Sequence, residues 1–310
     1  MPSLTLPSVP RYVPPPLTKE SCMYLFSFSI TGYTTVVITV EYADLAFIDF
    51  SKLGTPEGRA ELATQVRDAL SVQGFFYVIN HGLTQAQNER IFDIGDVPFT
   101  QVSDEEKRAY QSKIRETGSY QGYKFRQYWF TVMSMLMAMG MELPEDAFVN
   151  VFGWSAEGET WYYVGMTLLW SQPVAALQIL SPDGKWRWVK HVENAIVVNA
   201  GDAMEFLSGG FYKATIHRVV QPPEDQRGHT RLGLIYFTVP DEDVKLVPFT
   251  ESPVLRRAGI KRRFEDGDAP MMRDYRIGRA SNFLKAKLQK TGNGTEEGTI
   301  LNGITVTFYD

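Results

Sequence analysis

Apolar and polar positions along the chain divide it into short strands and amphipathic helices. Phe47-Ile48-Asp49-Phe50 is a brief apolar run suited to an edge strand. Thr55-Pro56-Glu57 opens a helix, with Thr55 as N-cap and Pro56 in the first helical position, where a missing N–H costs nothing. Leu62, Val66, Ala69 and Leu70 recur at helical spacing and predict its core-facing stripe. Gln73 to Leu83 reads as a buried strand closed by a glycine turn at Gly82. A second helix starts after Leu83, and Ser103-Asp104-Glu105-Glu106-Lys107 has the form of a capping box opening a third.

Further along, the period shortens to two. Leu177 and Ile179 alternate on one arm, Trp186 and Trp188 on another, and Pro182-Asp183-Gly184 supplies the turn between them. Ala195 to Asn199 is another buried strand, closed by Gly201-Asp202, and Val219-Val220 and Leu232 to Val239 add more β signal. Short strands at this spacing predict a barrel or jelly roll. Thr215-Ile216-His217-Arg218-Val219 places a histidine within an alternating strand, and Arg231 begins the next. An antiparallel pair would bring the two to one mouth of such a barrel. Read alone, they are a satisfied core histidine and an ordinary strand-end cation.

The N-terminal region follows another pattern. Pro14-Pro15-Pro16 predicts an extended, poorly ordered lead-in. Cys22 to Val40 carry no charge, as a membrane span would. Yet Ser27, Ser29, Thr31, Thr34, Thr35 and Thr39 are polar, Gly32-Tyr33 resembles a turn, and Val36-Val37-Ile38 is strand-like. A hairpin or loose apolar segment is the expectation, not a span or a signal peptide.

Composition narrows the chemistry. The chain has 310 residues, 44% hydrophobic and 22% charged, enough for a full core and unlike a disordered or collagen-like chain. A net charge of -5 argues against a nucleic-acid partner. Residues 256–290 do carry eleven Lys/Arg and four acids, but few interleaved aromatics, so a solvated helical face is expected there. Cys22 is the only cysteine, which excludes an intrachain disulfide and a cysteine zinc cage and points to a reducing, cytoplasmic setting. The four histidines are His81, His191, His217 and His229, and any imidazole-based metal site must draw on them.

Gly74-Phe75-Phe76-Tyr77-Val78-Ile79-Asn80-His81-Gly82 resembles the N-terminal signature of the isopenicillin N synthase-like branch of the iron(II)/2-oxoglutarate-dependent oxygenases. Ile48-Asp49 before it and Glu105-Glu106-Lys107 after it match similar positions. Asn199-Ala200-Gly201-Asp202, Thr215-Ile216-His217-Arg218-Val219 and Arg231-Leu232-Gly233 resemble, in order and spacing, its second metal-histidine block and its 2-oxoglutarate-binding arginine. The resemblance implies a mainly β fold with flanking helices (α+β), a double-stranded β-helix or jelly roll, incomplete in its first half. It implies Fe(II) bound by His217, 2-oxoglutarate anchored by Arg231, and dioxygen and a small organic substrate as the other partners. Ascorbate is the reductant this chemistry admits. Hydroxylation, desaturation or cyclisation is the implied outcome, and a non-catalytic jelly-roll scaffold is the alternative. His81 would be structural, in agreement with its place at a strand end.

Two imidazoles and a carboxylate on one face of Fe(II) leave positions open for the 2-oxoacid and dioxygen. The family's first iron motif, His-x-Asp, is missing here: counting back from Thr167, its ligands would fall near Thr160 and Tyr162. The stretch from Gln121 to Thr167 is also short for the family and holds one helical segment, near 131–141. Either the chain is a divergent member without catalytic iron, or the sequence carries a gene-model fault, which the apolar insert at Cys22–Val40 and the lost internal segments together favour. His191-Val192-Glu193 mimics the motif but lies in a connection, where a surface-turn histidine is expected, and His229 sits in a polar loop. Gly233 stands where many members have serine, so one hydrogen bond to the cosubstrate is lost. The expected organisation is a lead-in and apolar insert at 1–43, an N-terminal region at 44–128, an internally truncated jelly-roll core at 129–250 and a basic helical tail at 251–310. Oligomeric state is left open.

Overall fold

The uncharged stretch before residue 40 folds back on itself. Strand β1 (Met23–Ser29) pairs antiparallel with β2 (Gly32–Ile38), Ser29 opposite Gly32, so Gly32 and Tyr33 begin the second strand rather than make the turn. The structure, a computed structural model, describes residues 8–19, 23–29, 32–38, 40–111, 113, 122–123, 165–220, 222–285, 289–290, 295–300 and 304–309. No helix among them is long and apolar enough to cross a membrane. The segment near 131–141 and positions Thr160 and Tyr162 lie outside the described residues.

The proline-rich lead-in is extended but docked, contrary to the loose segment its composition implies. The Tyr12 backbone N–H donates to the Asp93 carboxylate at 2.7 Å, and its ring stacks on Phe92 with centroids 5.8 Å apart. Further on, Gln226, fully buried, donates its amide to the carbonyls of Pro16 and Pro173 and accepts from the Ala175 N–H. Hydrogen bonds from partners distant in sequence hold a segment that cannot bond to itself.

Local signals place the first helices as expected. β3 (Ala46–Asp49) lies at a sheet edge, and α1 (Pro56–Val72) follows, with the Thr55 hydroxyl accepting from Gly58 N–H at 3.0 Å. Its buried residues are Leu62, Val66, Ala69 and Leu70. β4 (Phe75–Ile79) leads to α2 (Gln85–Thr100), capped reciprocally by Thr84 and Gln87, and Ser103 caps α3 (Asp104–Ala109).

β5 (Met166–Trp170), β8 (Ile196–Ala200) and β10 (Ile235–Thr238) join the first two sheet strands in the order β10-β5-β8-β4-β3. Only the β3–β4 pair is parallel. β6 (Leu177–Leu180), β7 (Trp186–Trp188) and β9 (His217–Val219) form a second, antiparallel sheet in the order β7-β6-β9. Pro182-Asp183-Gly184 makes the expected turn, with Gly184 at φ +77° donating its N–H to Ser181 O at 2.8 Å.

Period-two alternation gives the large sheet two apolar faces. Phe76, Val78 and Leu168 pack with Leu62, Val66 and Leu70 of α1. Phe75, Tyr77, Leu169 and Val197 face the other way, against Leu177, Ile179 and Val189 of the small-sheet region. Two facing sheets with helices outside form the jelly-roll arrangement, though the sheets do not close.

After β8, α4 (Asp202–Leu207) packs through Phe206 and Leu207 with Leu246 and with Met272 and Tyr275 of α6 (Met272–Lys285), and the short α5 (Pro253–Ala258) precedes α6 in the chain. The tail is not helical throughout: β11 (Gln289–Lys290), β12 (Thr295–Ile300) and β13 (Ile304–Tyr309) form an antiparallel sheet. Ile-Thr-Val-Thr-Phe-Tyr is β-branched and aromatic and favours a strand whatever the charge of the preceding run. Several basic residues of that run are ion-paired, Arg256 with Glu251, Arg262 with Asp266 and Arg276 with Glu242.

Candidate functional site

A glycine couples the N-terminal signature to the histidine strand. Gly74 lies at φ +67°, and a Cβ there would fall 2.3 Å from both Lys213 O and Thr215 Oγ1. Only a residue without a side chain lets the 213–215 segment cross so close to the start of β4. The Thr215 hydroxyl then donates to the Gln73 carbonyl, and β9 begins two residues later.

His217 stands opposite Ile179 in the β6–β9 ladder, so the two side chains share a face. That face is the inter-sheet one, where Ile179 is fully buried and Phe75 meets the imidazole edge-on with centroids 5.4 Å apart. The imidazole itself is exposed. Its Nδ1 lies 2.9 Å from Thr215 O. A carbonyl only accepts, so Nδ1 carries a proton there, as it does in an imidazole that binds a metal through Nε2.

Arg231 does not share a strand pair with His217. β9 joins β6 in the small sheet, while Arg231 lies in the extended approach to β10, which joins β5 in the large one. The expected antiparallel pairing is thus corrected: the residues reach the inter-sheet space from opposite sheets. There the guanidinium lines a cavity of about 20 Å³, room for one water-sized group, with Leu169, Leu177, Val189 and Val197 among its walls. Burial pushes the Arg231 pKa down to about 10, so it stays charged at neutral pH.

Two polar groups meet there unsatisfied. Arg231 Nε is buried with no hydrogen-bond partner among the described residues, and neither amide atom of Gln172 has one. Gly233 borders both: a Cβ built on it would be 3.4 Å from Arg231 Nη1 and 3.9 Å from Gln172 Nε2. Gln172 was not a candidate from sequence. Its one signal there is a polar residue between Trp170 and Pro173 in a largely apolar stretch.

His191 is not a surface-turn histidine. It lines the same cavity, its Nδ1 2.8 Å from Ser171 Oγ, and burial lowers its pKa against the opposing pull of Glu193. It lies in a connection rather than on a strand and forms no triad with Glu193 and His217: among the described residues no three His, Cys, Asp or Glu are placed to hold a metal. His81 is structural as expected. It is buried, its Nε2 3.0 Å from Asn194 O and its Nδ1 accepting from Leu83 N–H. His229 is exposed. The described residues thus offer a small cavity lined by a cation at Arg231 but no fit for Fe(II).

Two family models match the chain. One, the N-terminal region of non-haem dioxygenases in morphine synthesis, covers residues 45–132, and the other, the 2OG-Fe(II) oxygenase superfamily, covers 155–240. Scopoletin 8-hydroxylase of Arabidopsis thaliana is 24% identical over 276 residues, 69% of this chain and 75% of that protein. Those aligned positions outnumber the residues that 69% of this chain supplies, so part of the relative has no counterpart here. Gibberellin 2-beta-dioxygenase 8 of Arabidopsis thaliana is 25% identical over 297 residues, 76% of this chain and 84% of that protein. Among solved structures, a Neurospora crassa protein crystallised with alpha-KG and thymine superposes with a TM-score of 0.53 at 18% identity, covering 77% of this chain and 97% of that one. A rice dioxygenase for auxin oxidation gives the same TM-score and identity over 77% of this chain and 96% of its own.

Proposed function

The chain belongs to the 2OG-Fe(II) oxygenase superfamily, and from that membership we propose that it serves the oxidation of a small organic substrate, with Arg231 anchoring 2-oxoglutarate and His217 as its retained iron ligand. Hydroxylation, desaturation or cyclisation of that substrate is the outcome, and the relatives named for scopoletin and gibberellin support a small organic molecule, here read as one of specialised metabolism. The single cysteine favours a cytoplasmic setting.

The observation that carries the reading is the buried Arg231 Nε, which has no hydrogen-bond partner among the described residues. A buried cationic N–H left unpaired is costly, and a carboxylate drawn into the inter-sheet cavity would remove that cost through charge-assisted hydrogen bonds. A planar fork holds such a group in one orientation, so the rest of a dicarboxylate is directed rather than merely bound.

One observation favours a second reading. Without a metal-binding trio among the described residues, and with no histidine in the sequence between His81 and His191, the chain reads as a jelly-roll protein that binds a dicarboxylate without turnover. Incubation of the full chain with Fe(II), 2-oxoglutarate, ascorbate and oxygen separates the two. Succinate above a His217→Ala control establishes the oxygenase. Bound 2-oxoglutarate with no succinate and no retained iron establishes the binder.

A further inference from the structure

We infer that Gln172 is the second anchor of the carboxylate held at Arg231, standing in for a hydroxyl that Gly233 cannot provide. The inference rests on the reading of Arg231 as a carboxylate site and extends it to a residue outside the motif. Gln172 is 7% exposed, and both its amide atoms are buried without partners among the described residues. Buried amides are normally satisfied, because desolvation without a replacement bond is expensive. Gln172 Nε2 and Arg231 Nη1 both border the space above the Gly233 Cα, at 3.9 and 3.4 Å from where a Cβ would lie. A serine at position 233 would bring a hydroxyl to the edge of that space. Glycine brings none, which leaves the amide and the guanidinium as the donors that face the ligand.

The pairing also defines what the site accepts. Two N–H donors, an apolar wall of Leu169, Leu177, Val189 and Val197, and room for one small group suit a planar carboxylate at the end of a short aliphatic chain. His191 and Lys190, which also line the cavity, add no negative charge to compete with it. Glutarate, which carries the distal carboxylate but lacks the 2-oxoacid chelate, reads this site without reference to iron.

Calorimetric titration of the full chain with glutarate and with 2-oxoglutarate tests the assignment. In Gln172→Leu both ligands should bind about ten- to a hundred-fold more weakly, as for loss of one hydrogen bond to a charged group. Gly233→Ser in that background should bring affinity back to within about two-fold of the native chain. The unliganded Gln172→Leu protein should melt no lower than the native one, since no internal hydrogen bond is removed. Native affinity in Gln172→Leu, with binding lost in Arg231→Met, overturns the role of Gln172 and leaves that of Arg231 standing. A lower melting temperature for unliganded Gln172→Leu, without rescue by Gly233→Ser, also overturns it by making the amide a structural group. No binding of either ligand to the native chain overturns the carboxylate site altogether.

Discussion

His217 is the direct cross-strand neighbour of Ile179, and Leu177, two residues back on the same strand, walls the Arg231 cavity. Same-face neighbours on a strand are roughly 7 Å apart, so one edge of β6 spaces the candidate iron ligand from the candidate cosubstrate anchor. The imidazole gains this placement from backbone pairing rather than from burial. His217→Ala should therefore cost no more than about 1 kcal/mol, the worth of its edge contact with Phe75. Urea unfolding measures this, and a loss of several kcal/mol would make the residue a core histidine instead.

Gly74 is the opposite case, a residue with no chemistry on which the placement of β9 depends. Gly74→Ala forces a side chain into the left-handed region and against Lys213 O and Thr215 Oγ1. The conformation alone costs roughly 1–2 kcal/mol, and displacing backbone adds to it, so a total loss of about 3 kcal/mol is expected. Ligand binding at Arg231 should weaken much less than stability does, because the arginine is held by the approach to β10. Chemical denaturation and glutarate titration on the same preparation separate the two effects.

The Thr55 cap, the Leu62–Leu70 stripe and the Asp183-Gly184 turn were legible in the sequence because each is decided within a few residues. The docked lead-in was not, since Pro14-Pro15-Pro16 says nothing of Gln226, two hundred positions away. Local alternation identified β9 and the approach to β10 as extended but could not say that they join different sheets. The same limit hid Gln172 and His191. Composition shows that a residue is polar, while its being buried and unpartnered, or bonded to Ser171, depends on strands brought together from elsewhere. His217 and Arg231 stood out only through resemblance to a family.

Acid should weaken the fold through buried imidazoles. Burial lowers the His81 pKa below its ordinary 6.5, against the pull of the Asn194 carbonyl, and His191 shifts the same way. Below pH 6.5 the unfolded chain therefore binds more protons than the folded one. Their neutral-state stability is present above that pH and lost as pH falls toward the depressed folded values. The slope is at most about 1.4 kcal/mol per pH unit for each histidine. Denaturation midpoints between pH 7.5 and 5.5 should fall, and His81→Asn should flatten the dependence. An unchanged slope in that variant would place the effect elsewhere.

Arg231 gives the sharpest opposition between stability and binding. Its guanidinium is partly buried and its Nε wholly so, without a partner among the described residues, which makes the unliganded site a cost to the fold. Arg231→Met keeps a long side chain in the same space and removes the charge, so the unliganded protein should gain about 1–3 kcal/mol. Glutarate binding should disappear in the same variant. Arg231→Lys should retain a weak site, since an ammonium attracts a carboxylate but cannot grip it with two parallel N–H groups. Thermal melts with and without 10 mM glutarate (a concentration of about that order suffices for weak sites) report both quantities at once. The native chain should shift upward with ligand, the lysine variant slightly, and the methionine variant not at all from a higher starting point. A methionine variant that is less stable than the native chain would mean that the guanidinium supports the fold, and the carboxylate site would lose its physical basis.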